Sequence, residues 1–167
     1  MEPVVDIAVK NAGAYAARNA LRLGERLGFG IHGTVHVVEH KIKRAKSAIK
    51  SYRVTEFYLR ERAVYERLSD AGVSDILGFH VPQFIRADDD LQVIEMTIVT
   101  RPFVLDFAAA YVGAPPEFSA DIWAEWEAEK QEQFGARWRA VRAVLDAFED
   151  LGIYLADVSP SNIAFLD

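Results

Sequence analysis

The chain has 167 residues, enough for one core of ordinary size or two small lobes. Nineteen Lys and Arg against 25 Asp and Glu leave a net charge of −6, which disfavours general nucleic-acid binding, since that needs a basic face. The absence of cysteine excludes disulfides, thiolate metal sites and cysteine nucleophiles together. No apolar run reaches the ~18 residues of a membrane span, and the first residues lack a charged-then-apolar signal pattern. The expectation is a cytoplasmic protein.

Residues 4–20 carry Ala, Val and Ile among scattered polar side chains and predict a short helix, weakened by Gly13, that packs without chemistry of its own. Residues 21–29 and 34–40 predict two strands joined by a glycine-rich turn, the second rich in Thr and Val. The basic connector 41–46 reads as a solvated hairpin tip, and 47–53 as a third strand. From Thr55 to Asp70 the spacing of Phe57, Leu59, Ala63, Val64 and Leu68 is helical, with Thr55 suited to cap the start and Gly72 the end. Residues 81–86 and 91–99 predict a hairpin across Ala87-Asp88-Asp89-Asp90, broken by Arg101-Pro102. Residues 105–111 read as a short helix, 112–116 as a loop, and 120–151 as helix with a break at Gly135. Short strands at 152–155 and 163–166 flank one last loop.

Chemistry concentrates in three places. Gly28, Gly30 and Gly33 lack Cβ, so their backbone can approach a phosphate and point N–H groups at it. A dinucleotide fold would begin a helix at these glycines, but Thr34-Val35-His36-Val37-Val38 continues as a strand. Lys50, in Ala48-Ile49-Lys50, follows Val35 by 15 residues and brings an ammonium onto the third strand. The loop Asp157-Val158-Ser159-Pro160-Ser161-Asn162 pairs a carboxylate with an amide at Asp-x4-Asn spacing, Pro160 setting the turn.

Glycine turn, strand lysine and Asp-x4-Asn loop come in the order of the phosphate-handling parts of a protein kinase, and residues 21–167 resemble the eukaryotic-type protein kinase family. The resemblance implies an α+β, kinase-like architecture: a five-stranded antiparallel small lobe with one main helix (21–100), after an N-terminal helical extension (1–20), and a partial, mostly helical large lobe bearing the catalytic loop (101–167). It implies ATP, held by Gly28, Gly30, Gly33, Val35 as an apolar lid, Ala48 and Lys50, with the backbone of Glu95 and Met96 reading the adenine edge. Glu61 would orient Lys50, because Leu68 follows it by seven residues as in the kinase helix. Glu66 competes for that role, but the two point ~140° apart on a helix and cannot both face the lysine. Asp157 would accept the substrate hydroxyl proton, and Asn162 would hold a weakly bound Mg2+. Leu155 and Ala156 stand where the family has His and Arg.

The second metal-binding Asp of the family has no good counterpart, since Asp167 lies some 16 Å of strand beyond Asn162. The expectation is a Ser/Thr-type phosphotransferase with weak or lost activity. Two alternatives stay open: an interaction module of pseudokinase type, and a half-kinase completed by a partner chain. The aromatic and aliphatic residues of 120–151, from Trp123 to Phe148, either pack within the chain or form a face for a homodimer or protein partner. No nucleic acid and no membrane are expected as partners. His32, His36 and His40 recur every four residues but lie ~13 Å apart along a strand, too far for one metal. Ser159 lacks a downstream histidine to serve as base.

Overall fold

The computed structural model describes residues 3–29 and 32–167. The chain forms two compact units, Met1–Arg62 with Gln83–Ile98, and Ala63–Pro82 with Val99–Asp167. Residues 63–82 group with the second unit, ahead of the segment near residue 100.

The first unit holds helix α1 (Ile7–Arg18) and strands β1 (Leu21–Phe29), β2 (Gly33–His40) and β3 (Lys46–Tyr52). Helix α2 (Thr55–Asp70) contributes residues 55–62 to it and 63–70 to the second unit. The Thr, Val, Ile and Tyr content of β2 and β3 suits a half-buried pleat. Strands β4 (Asp75–Ile76) and β5 (Phe79–His80) belong to the second unit; β6 (Phe84–Asp88) and β7 (Val93–Met96) return to the first. Five antiparallel strands make one sheet in the order β1-β2-β3-β7-β6. Two register shifts bend β1, between Leu23 and Arg26 and between Arg26 and Gly28, and such bulges increase local twist.

The two faces of this sheet are different. Ala12, Tyr15 and Ala16 of α1 pack on Leu21, Val38, Ile49 and Val93, with Leu23 and Leu91 at the edge. Asp6 caps α1 through its carboxylate and the Ala8 N–H, 3.0 Å apart. Arg53 binds the same carboxylate, and Arg18 bonds Asp88 at 2.9 Å. The predicted appendage is therefore a core helix tied at both ends. On the opposite face the first turns of α2 bring Tyr58 edge-on to Tyr52, ring centroids 5.6 Å apart.

The second unit adds β8 (Phe103–Val104), β9 (Tyr111–Val112), α3 (Ala120–Phe134), α4 (Trp138–Asp150), β10 (Ile153–Tyr154) and β11 (Ile163–Ala164). Its strands pair as a four-stranded sheet in the order β11-β8-β5-β4 and as a β9-β10 ribbon. Helix α2 ends as its glycine suggests: Gly72 has φ +66°, its N–H bonds Ser69 O at 3.0 Å, and Val73 N–H bonds Leu68 O at 3.0 Å, which is a Schellman stop. The helix predicted over 105–111 is absent. Asp106 has φ +71°, Ala110 N–H turns back to Phe107 O at 3.0 Å, and Tyr111 pairs with Tyr154. Buried Phe107, between Tyr65 and Phe148, outweighs the local helix preference of the alanines. Among the described residues no helix is long and apolar enough to cross a membrane.

Candidate functional site

Antiparallel register decides which side chains of the first unit share a face, because directly paired residues point to the same side. One cross-strand row runs Gly28, Val35, Lys50, Ile94, Ala87, and the row beside it runs Val37, Ala48, Met96, Phe84. Gly33 pairs with Tyr52 on the other side of the first row. Gly28, Val35, Ala48, Lys50 and Met96, all singled out in the sequence, therefore fall on one face. Gly30 lies outside the described residues.

Lys50 sits at the centre of that face. Its Nζ lies 2.7 Å from Glu61 Oε1, with side-chain exposures of 9% and 1%. The Tyr52 hydroxyl donates to the same carboxylate oxygen, and Lys50 Nζ stands 5.3 Å from the Tyr52 ring centroid. Of the two glutamates weighed in the sequence, Glu61 is the one beside the lysine; Glu66 lines a surface depression of the second unit with Arg67 and Asp70. Tyr52 escaped the sequence reading. The signal was its parity: two residues after Lys50 on a strand, it shares the lysine's face.

The two glycines that can be compared differ in kind. A Cβ on Gly33 would lie 1.9 Å from Ser51 O, so only glycine lets β2 approach β3 there. A Cβ on Gly28 would meet nothing within 4 Å among the described residues, on the row of Val35 and Lys50.

The Glu95 side chain lies on the face of the sheet opposite Lys50. It pairs with Ile49 and Arg86, on the α1 side of the sheet. Its carboxylate is buried and accepts from Tyr15 Oη at 2.6 Å, Arg86 Nε at 2.7 Å and Ser47 Oγ at 2.7 Å. Burial pushes its carboxyl pKa up, but the hydrogen bonds from Tyr15, Arg86 and Ser47 outweigh it and hold the group below its ordinary value. The backbones of Glu95 and Met96 lie in a central strand with β3 on one side and β6 on the other. The Glu95 carboxylate locks α1 to the back of the sheet, and Met96 offers a side chain to the Lys50 face.

The three histidines also separate. The His32 ring meets Phe57 at a tilt, centroids 4.1 Å apart, His36 is buried on the α1 side, and His40 Nδ1 accepts from Lys43 N–H at 3.1 Å in the hairpin tip. Burial, with nearby Arg26, holds His36 below the ordinary imidazole pKa.

In the second unit the Asp-x4-Asn loop spans β10 to β11. Asn162 N–H and Ile163 N–H both bond Ser159 O at 3.0 Å, closing the turn around Pro160. Leu105 N–H bonds Asn162 O at 3.0 Å, and buried Val158 anchors the loop from inside. Asn162 Nδ2 points to Asp157 O at 3.4 Å, which leaves its amide oxygen as an acceptor. The Asp157 side chain is exposed. Upstream, Trp126 Nε1 donates to Ala156 O at 2.7 Å, so α3 fixes the entry to the loop. Sequence spacing carried no sign of that contact.

The helical face of 120–151 is mostly covered within the chain. Phe134, Val141, Val144, Leu145 and Phe148 are buried. Trp123, Trp126 and Trp138 are half-buried and follow one another in ring contacts of 5.6 and 6.1 Å.

Comparison of the chain with family models, with curated proteins and with solved structures returns no match.

Proposed function

We propose that the first unit binds the phosphates of a nucleoside triphosphate, ATP on the resemblance noted above, and that the chain is a protein kinase-like phosphotransferase of weak activity, since the second metal-binding Asp has no good counterpart. One observation carries the reading: a lysine ammonium in a cross-strand row with Gly28 and a half-buried valine lies 2.7 Å from a glutamate carboxylate of α2, and both are almost wholly buried. An ion pair costs desolvation that a hydrophobic pair would avoid. An ammonium fixed in position and charge-matched on one side is what an incoming phosphate uses. Val35 and Met96, on the same face, offer apolar contact to a base.

On the same reading, Asp157 accepts the proton of an acceptor hydroxyl as its oxygen attacks the γ-phosphorus and the bond to the leaving ADP oxygen breaks. The Asn162 amide oxygen is a hard donor of the kind Mg2+ takes, and the metal, when bound, would neutralise phosphate charge. The closed turn around Pro160 fixes the backbone at Ser159–Ile163 without help from the missing His and Arg.

Thermal unfolding with millimolar ATP, with and without Mg2+, tests the binding claim. The wild type is expected to unfold several degrees higher with nucleotide, and Lys50→Met to lose that gain. Asp157→Ala should keep the gain and lose phosphoryl transfer. A wild type indifferent to ATP would refute the reading.

A further inference from the structure

A pocket of the second unit, unused by that reading, has the make-up of a receptor for an organic cation. It has a volume of about 380 Å3 and is lined by Pro115, Trp123, Trp126, Tyr154, Glu127 and Glu149, among others. This is the size of a small-molecule site. Two features select the ligand. First, the Trp123 and Trp126 rings meet at 85° with centroids 5.6 Å apart, so two indoles form a corner. The Trp126 N–H is held by Ala156 O at 2.7 Å, and Phe118 backs Trp123 at 5.2 Å, so the corner is fixed before anything binds. Aromatic faces attract cations through their quadrupole, more so where the ring is desolvated.

Second, the charge is negative. Arg142 also lines the pocket, but it is bonded to Asp146 at 2.7 Å and to Glu149 at 2.9 Å, so its charge is matched twice. Glu127 is exposed at the rim and takes part in no ion pair among the described residues. The helix that bears it, α3, carries Asp121, Glu125, Glu127, Glu129 and Glu132 against Lys130. Aromatic walls with an anionic rim favour a methylated or primary ammonium over a neutral or anionic ligand.

The geometry points to a binding site for a small organic ammonium compound here, with Trp123 and Trp126 as its walls and Glu127 as its counter-charge. Leu155 and Ala156 form part of the lining, so the ligand touches the backbone that leads into Asp157. A volume of about 380 Å3 suits a small molecule.

The indole N–H signals of the three tryptophans in a two-dimensional NMR spectrum report on this pocket directly. Choline is titrated into the nucleotide-free protein, beside 3,3-dimethylbutan-1-ol, its neutral isostere. Choline is expected to shift two indole signals saturably in the millimolar range, and the neutral alcohol to bind at least ~10-fold more weakly. Glu127→Gln, an exposed change that should leave the fold intact, is expected to weaken choline ~3-fold or more, and Trp123→Ala to abolish it. Equal binding of choline and the alcohol, or no saturation by 50 mM, overturns the proposal. Tighter binding of N-acetyl-lysine amide than of choline overturns the small-molecule assignment in favour of a protein side chain. Because no nucleotide is present, the outcome is independent of whether ATP binds the first unit.

Discussion

Two carboxylates of the first unit, 34 residues apart in sequence, serve opposite faces of one sheet. Glu61 receives Lys50 and Tyr52 on one side; Glu95 receives Tyr15, Arg86 and Ser47 on the other. Removing one partner of a buried pair leaves a charge in a poor solvent, which costs about 3–5 kcal/mol. Glu61→Ala is therefore expected to lower the free energy of urea unfolding by about 3 kcal/mol or more. A change within ~0.5 kcal/mol would show that the pair is hydrated in solution. Glu95 makes a prediction about pH. Its carboxyl titrates lower in the folded chain than in the unfolded one, so the unfolded chain takes up the proton first as pH falls. The stabilisation is present above about pH 4.5, the ordinary value, and is lost as pH falls through the folded value. Glu95→Gln should cost about 2 kcal/mol at pH 7. The gap to wild type should close in acid, as read from urea unfolding at pH 7 and pH 3. Asp6 and Asp89 are held low as well, by Arg53 and by Tyr58 with Arg62, so the variant keeps part of the wild-type acid sensitivity.

Elements with strong local signals were legible in the sequence, and elements made by distant pairing were not. Helix α2 and strand β1 follow from apolar spacing and glycines within or next to each segment. The two-residue strands β4 and β5 carry no periodicity, and they exist because His80 meets Phe103. The same holds for β9, where pairing with β10 replaced an expected helix. Lys50, Ala48 and Val35 stand out through short local sequence patterns, whereas the Glu95 cluster joins residues up to 80 positions apart. The glycines of β1 and β2 give a test at this scale. Gly33→Ala drives a Cβ into Ser51 O and is expected to destabilise the chain by about 3 kcal/mol or more. Gly28→Ala has room, and should leave unfolding within ~0.5 kcal/mol of wild type while weakening ATP, if the backbone there approaches phosphate. Equal losses of stability at both positions would contradict this reading of the turn.

At the scale of the whole molecule, chemistry is divided between two compact units. One carries the buried lysine row, and the other carries the Asp-x4-Asn loop and an aromatic, acidic pocket. The central claim is that the Lys50 face recognises phosphate, and it separates from base recognition by comparing two ligands. Calorimetric titration of ATP and of adenosine, into wild type and Lys50→Met, measures it most directly. The account predicts that wild type prefers ATP to adenosine by ~10-fold or more, and that Lys50→Met loses this preference while its adenosine affinity changes little. Equal affinity of the wild type for both ligands, or a preference for ATP that survives in Lys50→Met, would contradict it.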